Sequence, residues 1–308
     1  MNKTVMKGKN VLVTGARGFV GSNLIQRLEH LGANVFGLSH SSEKANILKA
    51  NILNYTKVSS IVKDKKIHIC FHLAGEALVE AGQEKPFETF KLNVEGTLNI
   101  LEIGRKQHLE RVIIASSSHV YARNKIPYFE SYTPRPSRPY ETSKACTDLI
   151  AQSYADSFNL PVLIPRFVNI YGPGDLNFNR LIPLTIKNIL SDSAPTMWGG
   201  DAIRDYLYID DAIDAYISLA SVNIKKVGTN RIFNFGSNNT ISVKDLIGKI
   251  ISLTGDTVKI KRIDDKREAE IKSQYVSSRK AARLLQWDPK ISLHEGLKQT
   301  IAWYREFL

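Results

Sequence analysis

Two side chains that could exchange a proton with a substrate lie close together in Tyr-Glu-Thr-Ser-Lys at residues 140–144. Residues four positions apart share one face of a helix, and a helical pattern runs through Glu141–Phe158. A tyrosine with its reference pKa of about 10 is a poor base at neutral pH. A neighbouring ammonium group favours the phenolate form and makes the tyrosine a better base. Tyr140 and Lys144 therefore have the residue types and the spacing of a phenolic acid/base that a lysine supports, although such a pair alone is frequent by chance.

A glycine-rich turn near the start of the chain could hold a phosphate group. The segment Thr-Gly-Ala-Arg-Gly-Phe-Val-Gly joins a predicted strand, Asn10–Thr14, to a predicted helix, Gly18–Leu31. Gly15 permits the tight turn, Gly18 lets backbone N–H groups approach a pyrophosphate, and Gly21 lets the helix pack closely on the strand. The helix N-terminus also attracts an anion. A glycine triplet in this context predicts a dinucleotide-binding site.

Strand and helix patterns alternate through the first half of the chain. The predicted elements after the first strand and helix are, in order, strand Ala33–Leu38, helix Val58–Lys65, strand Ile67–Leu73, helix Phe87–Lys106, strand Arg111–Ser116, helix Glu141–Phe158 and strand Val162–Pro165. Alternation at this spacing predicts βαβ units, and hence an α/β fold with a Rossmann-type, doubly wound parallel sheet. Ligands of such sheets bind beyond the carboxyl ends of the strands.

The second half has shorter helices, isolated strands and loop-like segments at Gly172–Asp175, Ser193–Asp201 and Gly236–Asn239. We expect residues 1–170, with parts of 205–240, to form the dinucleotide-binding Rossmann domain. Residues 171–308 are expected to form mainly a smaller α/β substrate-binding lobe.

Composition narrows the classes of partner. The 308 residues carry a formal net charge of +12, but they contain no basic stripe interleaved with aromatic residues and no recognition-helix motif. Nucleic acid is therefore not expected, whereas a basic cleft would attract a small polyanion. No apolar run is long enough to span a bilayer, no signal-peptide pattern opens the chain, and two cysteines make no disulfide framework. These features predict a cytoplasmic protein without membrane or metal sites.

The Gly-x-x-Gly-x-x-Gly spacing resembles that of the extended short-chain dehydrogenase/reductase superfamily, in its nucleotide-sugar epimerase/dehydratase branch. The sequence His-Leu-Ala-Gly at residues 72–75 matches the strand-end motif that lines the cofactor in this superfamily. Leu-Asn-Val-Glu-Gly-Thr at residues 92–97 matches the helix motif whose asparagine, here Asn93, braces the active site. The resemblance implies a catalytic set of Ser117, Tyr140 and Lys144. Tyr140 would exchange the proton of a sugar hydroxyl during hydride transfer, Ser117 would hold the same oxygen, and Lys144 would bond the nicotinamide ribose.

The choice of dinucleotide depends on the end of the second strand. An NAD enzyme usually has an acidic residue there, but this chain has no carboxylate before Glu43. Arg17 stands where some NADPH-using relatives place an arginine for the 2′-phosphate. NADP is therefore favoured, and NAD held by serine hydroxyls is the alternative. The expected cofactor-binding residues are Gly15, Arg17, Gly18, Phe19, Val20, Gly21, Ser39, His40, Asn51, Ile52, Leu73, Ala74, Gly75, Asn93, Ser116, Tyr140, Lys144 and Val168.

Matches to family motifs in the second half imply a site for a nucleotide-diphosphate sugar. Arg204 belongs to an Arg-Asp-aromatic signature, in which the arginine clamps the pyrophosphate, and a guanidinium fork suits that anion. The expected substrate-binding residues are Ser118, His119, Asn169, Arg180, Leu181, Arg204, Arg267 and Glu270. Glu270 stands where relatives have an aspartate, which leaves its contact open.

The two residues after Ser117 bear on the reaction. Relatives that eliminate water from the sugar carry an acid and a base there, usually Asp-Glu, whereas this chain has Ser118 and His119. Dehydration is therefore disfavoured, and the favoured reaction is reduction of a 4-keto-6-deoxy nucleotide sugar. The alternative is a 4-epimerase with tightly bound NAD. A non-catalytic protein that senses its dinucleotide is a third reading, which the intact Ser/Tyr/Lys set disfavours.

The resemblance also implies a homodimer, because relatives commonly dimerise through the helices that correspond to Phe87–Lys106 and Glu141–Phe158. Apolar residues repeat at helical spacing on both predicted helices. They are Phe90, Val94, Leu98 and Leu101 on the first, and Cys146, Leu149, Ile150 and Tyr154, with Ser153, on the second.

Overall fold

The computed structural model describes residues 5–41, 46–198, 200–263 and 271–308. Its main sheet has eight strands and only parallel pairings. The strands are β1 (Asn10–Thr14), β2 (Asn34–Ser39), β3 (Ile47–Lys49), β4 (Ile69–His72), β5 (Arg111–Ile114), β6 (Ser116–Ser117), β7 (Val162–Phe167) and, further along the chain, β11 (Ile232–Phe235). The order is β11-β7-β5-β4-β1-β2-β3, with β6 beside β7. The expected doubly wound α/β fold is confirmed.

Helices cover both faces of this sheet. They are α1 (Phe19–His30), α2 (Tyr55–Asp64), α3 (Val79–Glu84), α4 (Pro86–Phe90), a π-helix (Lys91–Glu95), α5 (Gly96–Lys106), a 3₁₀-helix (Ser118–Tyr121), α6 (Pro139–Phe158) and α8 (Ile209–Ser221). Strands β1, β4, β5 and β7 are almost wholly buried, because each lies between two helical layers. This is why they read as continuous apolar runs in the sequence.

The remaining described elements do not belong to the main sheet. They are β8 (Asn169–Tyr171), α7 (Leu181–Leu190), β9 (Thr196–Trp198), β10 (Ile203–Tyr208), α9 (Ile224–Val227), β12 (Thr240–Ser242), α10 (Val243–Thr254), β13 (Lys261–Ile263), β14 (Ser273–Gln274), α11 (Arg279–Leu285) and α12 (Leu293–Phe307). Strand β10 pairs with β12, β14 and β8, and β9 pairs with β13. The division of the chain into two domains near residue 170 stays a prediction, and β11 joins the main sheet from beyond that point.

Three predicted elements differ from the structure. The expected loop Ser193–Asp201 contains β9, whose pairing with β13 is non-local and leaves no periodic pattern. The expected strand Arg111–Ser116 is interrupted at Ala115, which separates β5 from β6. The expected single helix Phe87–Lys106 is divided into α4, the π-helix and α5. The π-helix is associated with hydrogen bonds of the buried Asn93 side chain, which are described below. Amphipathic periodicity does not reveal it.

Within the described parts of the chain, no helix combines the length and the apolar character that crossing a membrane requires.

Candidate active site

The glycine turn lies where the strand order of the main sheet reverses, between the carboxyl ends of β1 and β4. Gly15 has a φ of +68°, and a Cβ there would lie 2.9 Å from the backbone nitrogen of Ala74. A Cβ on Gly21 would collide with the carbonyl oxygen of Gly15. The turn therefore accepts no side chain at either position, and the backbone of the turn packs directly on the end of β4.

The same turn fits the pyrophosphate of a dinucleotide. Helix α1 has Gly18 as its N-cap, and no side chain caps its first N–H groups. These groups lack partners within the helix and are donors for an anion. Phe19 and Val20 open the helix half-buried, and Arg17 lies exposed on the turn. The backbone thus provides the cradle that the sequence predicts.

Residues expected near the adenosine follow β2 and β3. Ser39 is buried at the end of β2, and its Oγ lies 3.1 Å from Ser41 Oγ. His40 is exposed. Asn51 accepts a bond from the backbone of Leu53 at 3.0 Å, which leaves its amide nitrogen for other contacts. Ile52 is buried and packs against Gly96 at the start of α5, so it holds the segment that follows β3 in place.

A buried histidine connects the glycine turn with the catalytic helices. His72 Nδ1 lies 2.8 Å from Thr14 Oγ1, and His72 Nε2 lies 3.2 Å from Thr97 Oγ1. The hydroxyl of Thr97 donates its own proton to the carbonyl oxygen of Asn93 at 2.6 Å. Nε2 must therefore donate to Thr97, and Nδ1 must accept from Thr14. Burial, with a smaller effect of Lys144, lowers the pKa of His72 to about 3, so the ring is neutral and its tautomer fixed.

Asn93 continues this chain of bonds to the catalytic helix. Its Nδ2 donates to Ser143 Oγ at 2.8 Å, and Ser143 donates to the carbonyl of Tyr140 at 2.7 Å. Its Oδ1 accepts from the backbone of Glu76 at 2.7 Å, just past β4. A Cβ on Gly75 would lie 2.5 Å from this oxygen. The π-helix therefore places the Asn93 amide between the segment after β4 and helix α6, both of which carry predicted site residues.

The expected catalytic side chains meet at the carboxyl edge of the sheet. Burial raises the pKa of Tyr140, and a side-chain hydrogen bond with Ser117 acts in the opposite direction. Lys144 Nζ donates to the carbonyl of Ala115 at 3.1 Å. Burial lowers the pKa of Lys144 to about 8, while Asp148 and Glu76 oppose this shift. The structure therefore brings all three side chains together.

A buried ion pair supports this group from behind. Asp148 accepts from Arg166 Nε at 2.6 Å and from Ser116 Oγ at 3.3 Å. The guanidinium lies 4.6 Å from the centre of the Tyr121 ring. Asp148 comes one helical turn after Lys144 and supplies a negative charge close to its ammonium group. Sequence reasoning missed Asp148 and Arg166, since neither residue stands out in a pattern of catalytic spacing.

A cleft of about 440 Å³ opens in front of these residues. Its lining includes twelve of the expected site residues, namely Val20, Leu73, Ser116, Ser117, His119, Tyr140, Lys144, Val168, Asn169, Arg180, Leu181 and Arg204. Ser118 is buried, with 2% exposure, and does not line the cleft. Arg180 NH1 lies 3.0 Å from Asp175 Oδ2, which fixes its position at the start of α7. Arg267 and Glu270 lie outside the described residues.

Glu141 is one of the charged residues of the cleft that the expected set does not contain. Glu141 is fully buried, and its Oε1 lies 3.6 Å from His119 Nδ1. The His119 ring also meets the Tyr140 ring edge to face, with 5.9 Å between their centres. The sequence signal was available, because Glu141 follows Tyr140 directly, but only the structure connects it with His119.

In the described ranges, no cluster of three or more His, Cys, Asp or Glu residues could hold a metal ion.

Fold and site define a dinucleotide-dependent enzyme with a tyrosine–lysine pair. The chain belongs to the NAD dependent epimerase/dehydratase family, whose family model matches residues 11–236. This finding agrees with the superfamily that the glycine turn and the Tyr-x-x-x-Lys spacing indicate.

The relatives span nearly the whole chain. UDP-glucuronate 4-epimerase of Thermodesulfobacterium geofontis is 29% identical, over 96% of each chain. The crystal structure of UDP-glucose 4-epimerase from Thermotoga maritima, with UDP-glucose, has a TM-score of 0.90 at 26% identity and covers 97% of this chain and 99% of its own. UDP-glucuronic acid 4-epimerase from Bacillus cereus, in complex with UDP-glucuronic acid and NAD, has a TM-score of 0.87 at 26% identity, over 97% of this chain and 100% of its own.

Proposed function

We propose that this protein is an NAD-dependent 4-epimerase of a UDP-sugar. The observation that carries the redox chemistry, which a 4-epimerase and a reductase share, is the meeting of Ser117, Tyr140 and Lys144 in one cleft next to the glycine turn. Ser118 is buried outside the cleft, and the position where dehydratases of this family carry an acid therefore offers none to a substrate. The similarity to 4-epimerases over nearly the whole chain favours epimerisation over the reduction that the sequence alone suggested.

Each catalytic residue has a defined task in this proposal. A bound dinucleotide supplies the oxidation and reduction at the sugar carbon. Tyr140 accepts the proton of the C4 hydroxyl and returns it, acting as general base and then general acid. Ser117 holds the same oxygen by a hydrogen bond. Lys144 supplies positive charge, which favours the phenolate form when it lies close to the phenol. In the structure burial raises the pKa of Tyr140, while the hydrogen bond with Ser117 and the charge of Arg180 act in the opposite direction.

The second half of the cleft suits a nucleotide diphosphate. Arg180 and Arg204 both line the cleft, and guanidinium groups suit the two phosphates of such a ligand. Asn169 and Leu181 line the same cleft and are available to hold a sugar or its base. UDP is the nucleotide we propose, because the Thermotoga and Bacillus cereus enzymes were solved with UDP-sugars.

A second candidate is the NADPH-linked reduction of a 4-keto nucleotide sugar, and one specific observation favours it. Strand β2 ends in Ser39 with no carboxylate beside it, and the next residues are His40 and Ser41. The exposed Arg17 lies on the glycine turn, where it could meet a 2′-phosphate. The preference for NADP stays a prediction, and the reductase would use the same catalytic residues.

The dinucleotide that accompanies the purified protein separates the two candidates. An epimerase returns the redox equivalent to its own substrate, so the protein should retain NAD and convert a UDP-sugar with no cofactor added. The substrates to try are UDP-glucose, UDP-N-acetylglucosamine and UDP-glucuronic acid. Protein that turns over a 4-keto sugar only with added NADPH would overturn the epimerase and establish the reductase.

We also propose that the protein forms a homodimer through α5 and α6. Leu98 on α5 and Leu149 on α6 are 41% and 56% exposed in the isolated chain, and Phe158 at the end of α6 is 51% exposed. Large apolar side chains clustered on two adjacent helices favour a protein–protein contact.

A further inference from the structure

A histidine and a buried carboxylate form a pair at the wall of the cleft. Glu141 Oε2 accepts from Ser137 N at 2.9 Å, Ser137 Oγ at 3.1 Å and Arg138 N at 3.1 Å. Glu141 Oε1 has no hydrogen bond within 3.5 Å and faces His119 Nδ1 at 3.6 Å. This nitrogen is also buried and has no other hydrogen-bond partner among the described residues. The two buried polar atoms are therefore each other's nearest partners.

Glu141 is held as an anion. Burial raises the pKa of its carboxyl group, but His119 and the donors of Ser137 outweigh burial and keep the pKa below its usual value. A carboxylate has only acceptor atoms, so its approach to His119 Nδ1 at 3.6 Å favours a proton on that nitrogen. In the neutral ring this leaves Nε2 as an acceptor.

The remaining edge of the His119 ring belongs to the cleft. Its side chain is 23% exposed, and because Nδ1 is buried this exposure lies on its other atoms. The ring stands edge to face with the ring of Tyr140 and lines the same cleft as Ser117 and Lys144. The backbone also fixes it, since His119 N donates to Ser117 Oγ at 3.2 Å.

We propose that His119 binds a hydroxyl group of the sugar through Nε2, and that Glu141 is the positioning residue that sets the tautomer for this contact. This inference rests on the proposed binding of a UDP-sugar. An acceptor at this place selects a hydroxyl donor on the sugar ring. A carboxylate that fixes one ring nitrogen and thereby assigns the role of the other is a general arrangement for histidine.

Two substitutions separate a sugar contact from a merely structural role. His119→Asn places an amide near the position of Nδ1, so it can still bond Glu141 but does not reach the cleft. His119→Gln places an amide oxygen near the position of Nε2, where it can accept from the sugar. Both are measured in a Tyr140→Phe background by titration with UDP-glucose and, separately, with UDP.

The expected result is a split between the two variants. His119→Asn should bind UDP-glucose about three- to tenfold more weakly, the loss of one neutral hydrogen bond. His119→Gln should stay within about twofold of its parent, and the affinity for UDP should not change in either. Equal affinities of the Asn variant and its parent for UDP-glucose, or equal losses for UDP and UDP-glucose, would overturn the contact. If the parent binds neither compound, the proposed function itself fails.

The tautomer is tested without any substrate. In ¹⁵N NMR of histidine-labelled protein, the His119 signals, identified by their loss in His119→Asn, should report the Nδ1–H form. Glu141→Gln presents an amide donor to Nδ1 and should convert the ring to the Nε2–H form. A wild-type ring in the Nε2–H form overturns the role of Glu141, even if the Glu141→Gln variant fails to fold.

Discussion

The Tyr140 phenol carries the proposed chemistry at the scale of single residues. Tyr140→Phe removes the proton-transfer group and leaves the ring in place, so turnover should fall by at least about 100-fold. Dinucleotide affinity should stay within about threefold, because the glycine turn is untouched. Steady-state rates and a cofactor titration measure both effects. Tyr55→Phe on α2, which lies outside the cleft, is the matched control and should keep the full rate. More than about a tenth of the wild-type rate in the Tyr140 variant would exclude this role.

Lys144 gives a prediction about stability and pH in protein free of dinucleotide. Burial lowers its pKa from 10.5 to about 8. Between these values the unfolded chain binds more protons than the folded one, so this group makes the protein more stable as the pH rises from about 8 towards 10.5. As the pH falls through 8, that contribution is lost.

Lys144→Met removes the pH-dependent cost of burying this ammonium group, which is largest where the folded protein carries the charge. The variant should be more stable than the wild type at pH 7, apart from lost contacts, and the difference should shrink as the pH rises to 9.5. Urea unfolding of both proteins across this range measures it. A difference in unfolding free energy that is independent of pH would contradict the lowered pKa.

The sequence predicts the placement of those residues whose position is set by local backbone or by spacing. Gly15, Gly21, Tyr140 and Lys144 belong to this group, because a turn or one helix face places them. Sequence reasoning did not find Glu141, whose partner His119 comes from a different element. Pairing between distant elements follows from the tertiary fold, and no local pattern encodes it.

At the scale of elements, close packing of α1 against the glycine turn is the feature on which dinucleotide binding depends. A Cβ at position 21 would meet the carbonyl oxygen of Gly15, which is backbone and cannot rotate away. Gly21→Ala should therefore push α1 off the turn and weaken dinucleotide binding by about tenfold or more, since the N–H groups of the helix then miss the pyrophosphate.

The control for this substitution is another glycine within a helix. Gly248 lies inside α10, and nothing stands within 4 Å of an added Cβ. Gly248→Ala should bind the dinucleotide like the wild type and unfold at the same or a slightly higher denaturant concentration, because alanine is the better helix former. Equal dinucleotide affinity in the Gly21 and Gly248 variants, measured by fluorescence titration, would contradict the account of the turn.

The element types were predictable because helices and buried strands differ in period and length. The division of the predicted helix Phe87–Lys106 by a π-turn was not, since it depends on bonds of Asn93 to Glu76 and Ser143. Strand β9 was missed for a similar reason, because its three residues gain strand geometry only by pairing with β13.

For the whole molecule, the exposed apolar face of α5 and α6 predicts a homodimer. Leu149 is 56% exposed on this face. In a two-fold symmetric contact a charge placed there acts twice, so Leu149→Arg should dissociate the dimer. Light scattering of the wild type at micromolar concentration should give about twice the chain mass of 34.6 kDa, and the variant should give the single-chain mass.

Leu176→Arg is the control, since Leu176 has 52% exposure and lies outside both helices. It should leave the mass at that of a dimer. A wild-type mass near 34.6 kDa would exclude the dimer altogether.

The return of hydrogen to the sugar is the most direct test of the proposed epimerase. The protein, purified without added dinucleotide, is incubated with UDP-glucose, UDP-N-acetylglucosamine or UDP-glucuronic acid, each carrying deuterium at C4. We expect at least one to yield its 4-epimer with the deuterium still at C4, because the redox cycle closes within one site. Loss of the deuterium to solvent would contradict the account, as would conversion only with added NADPH.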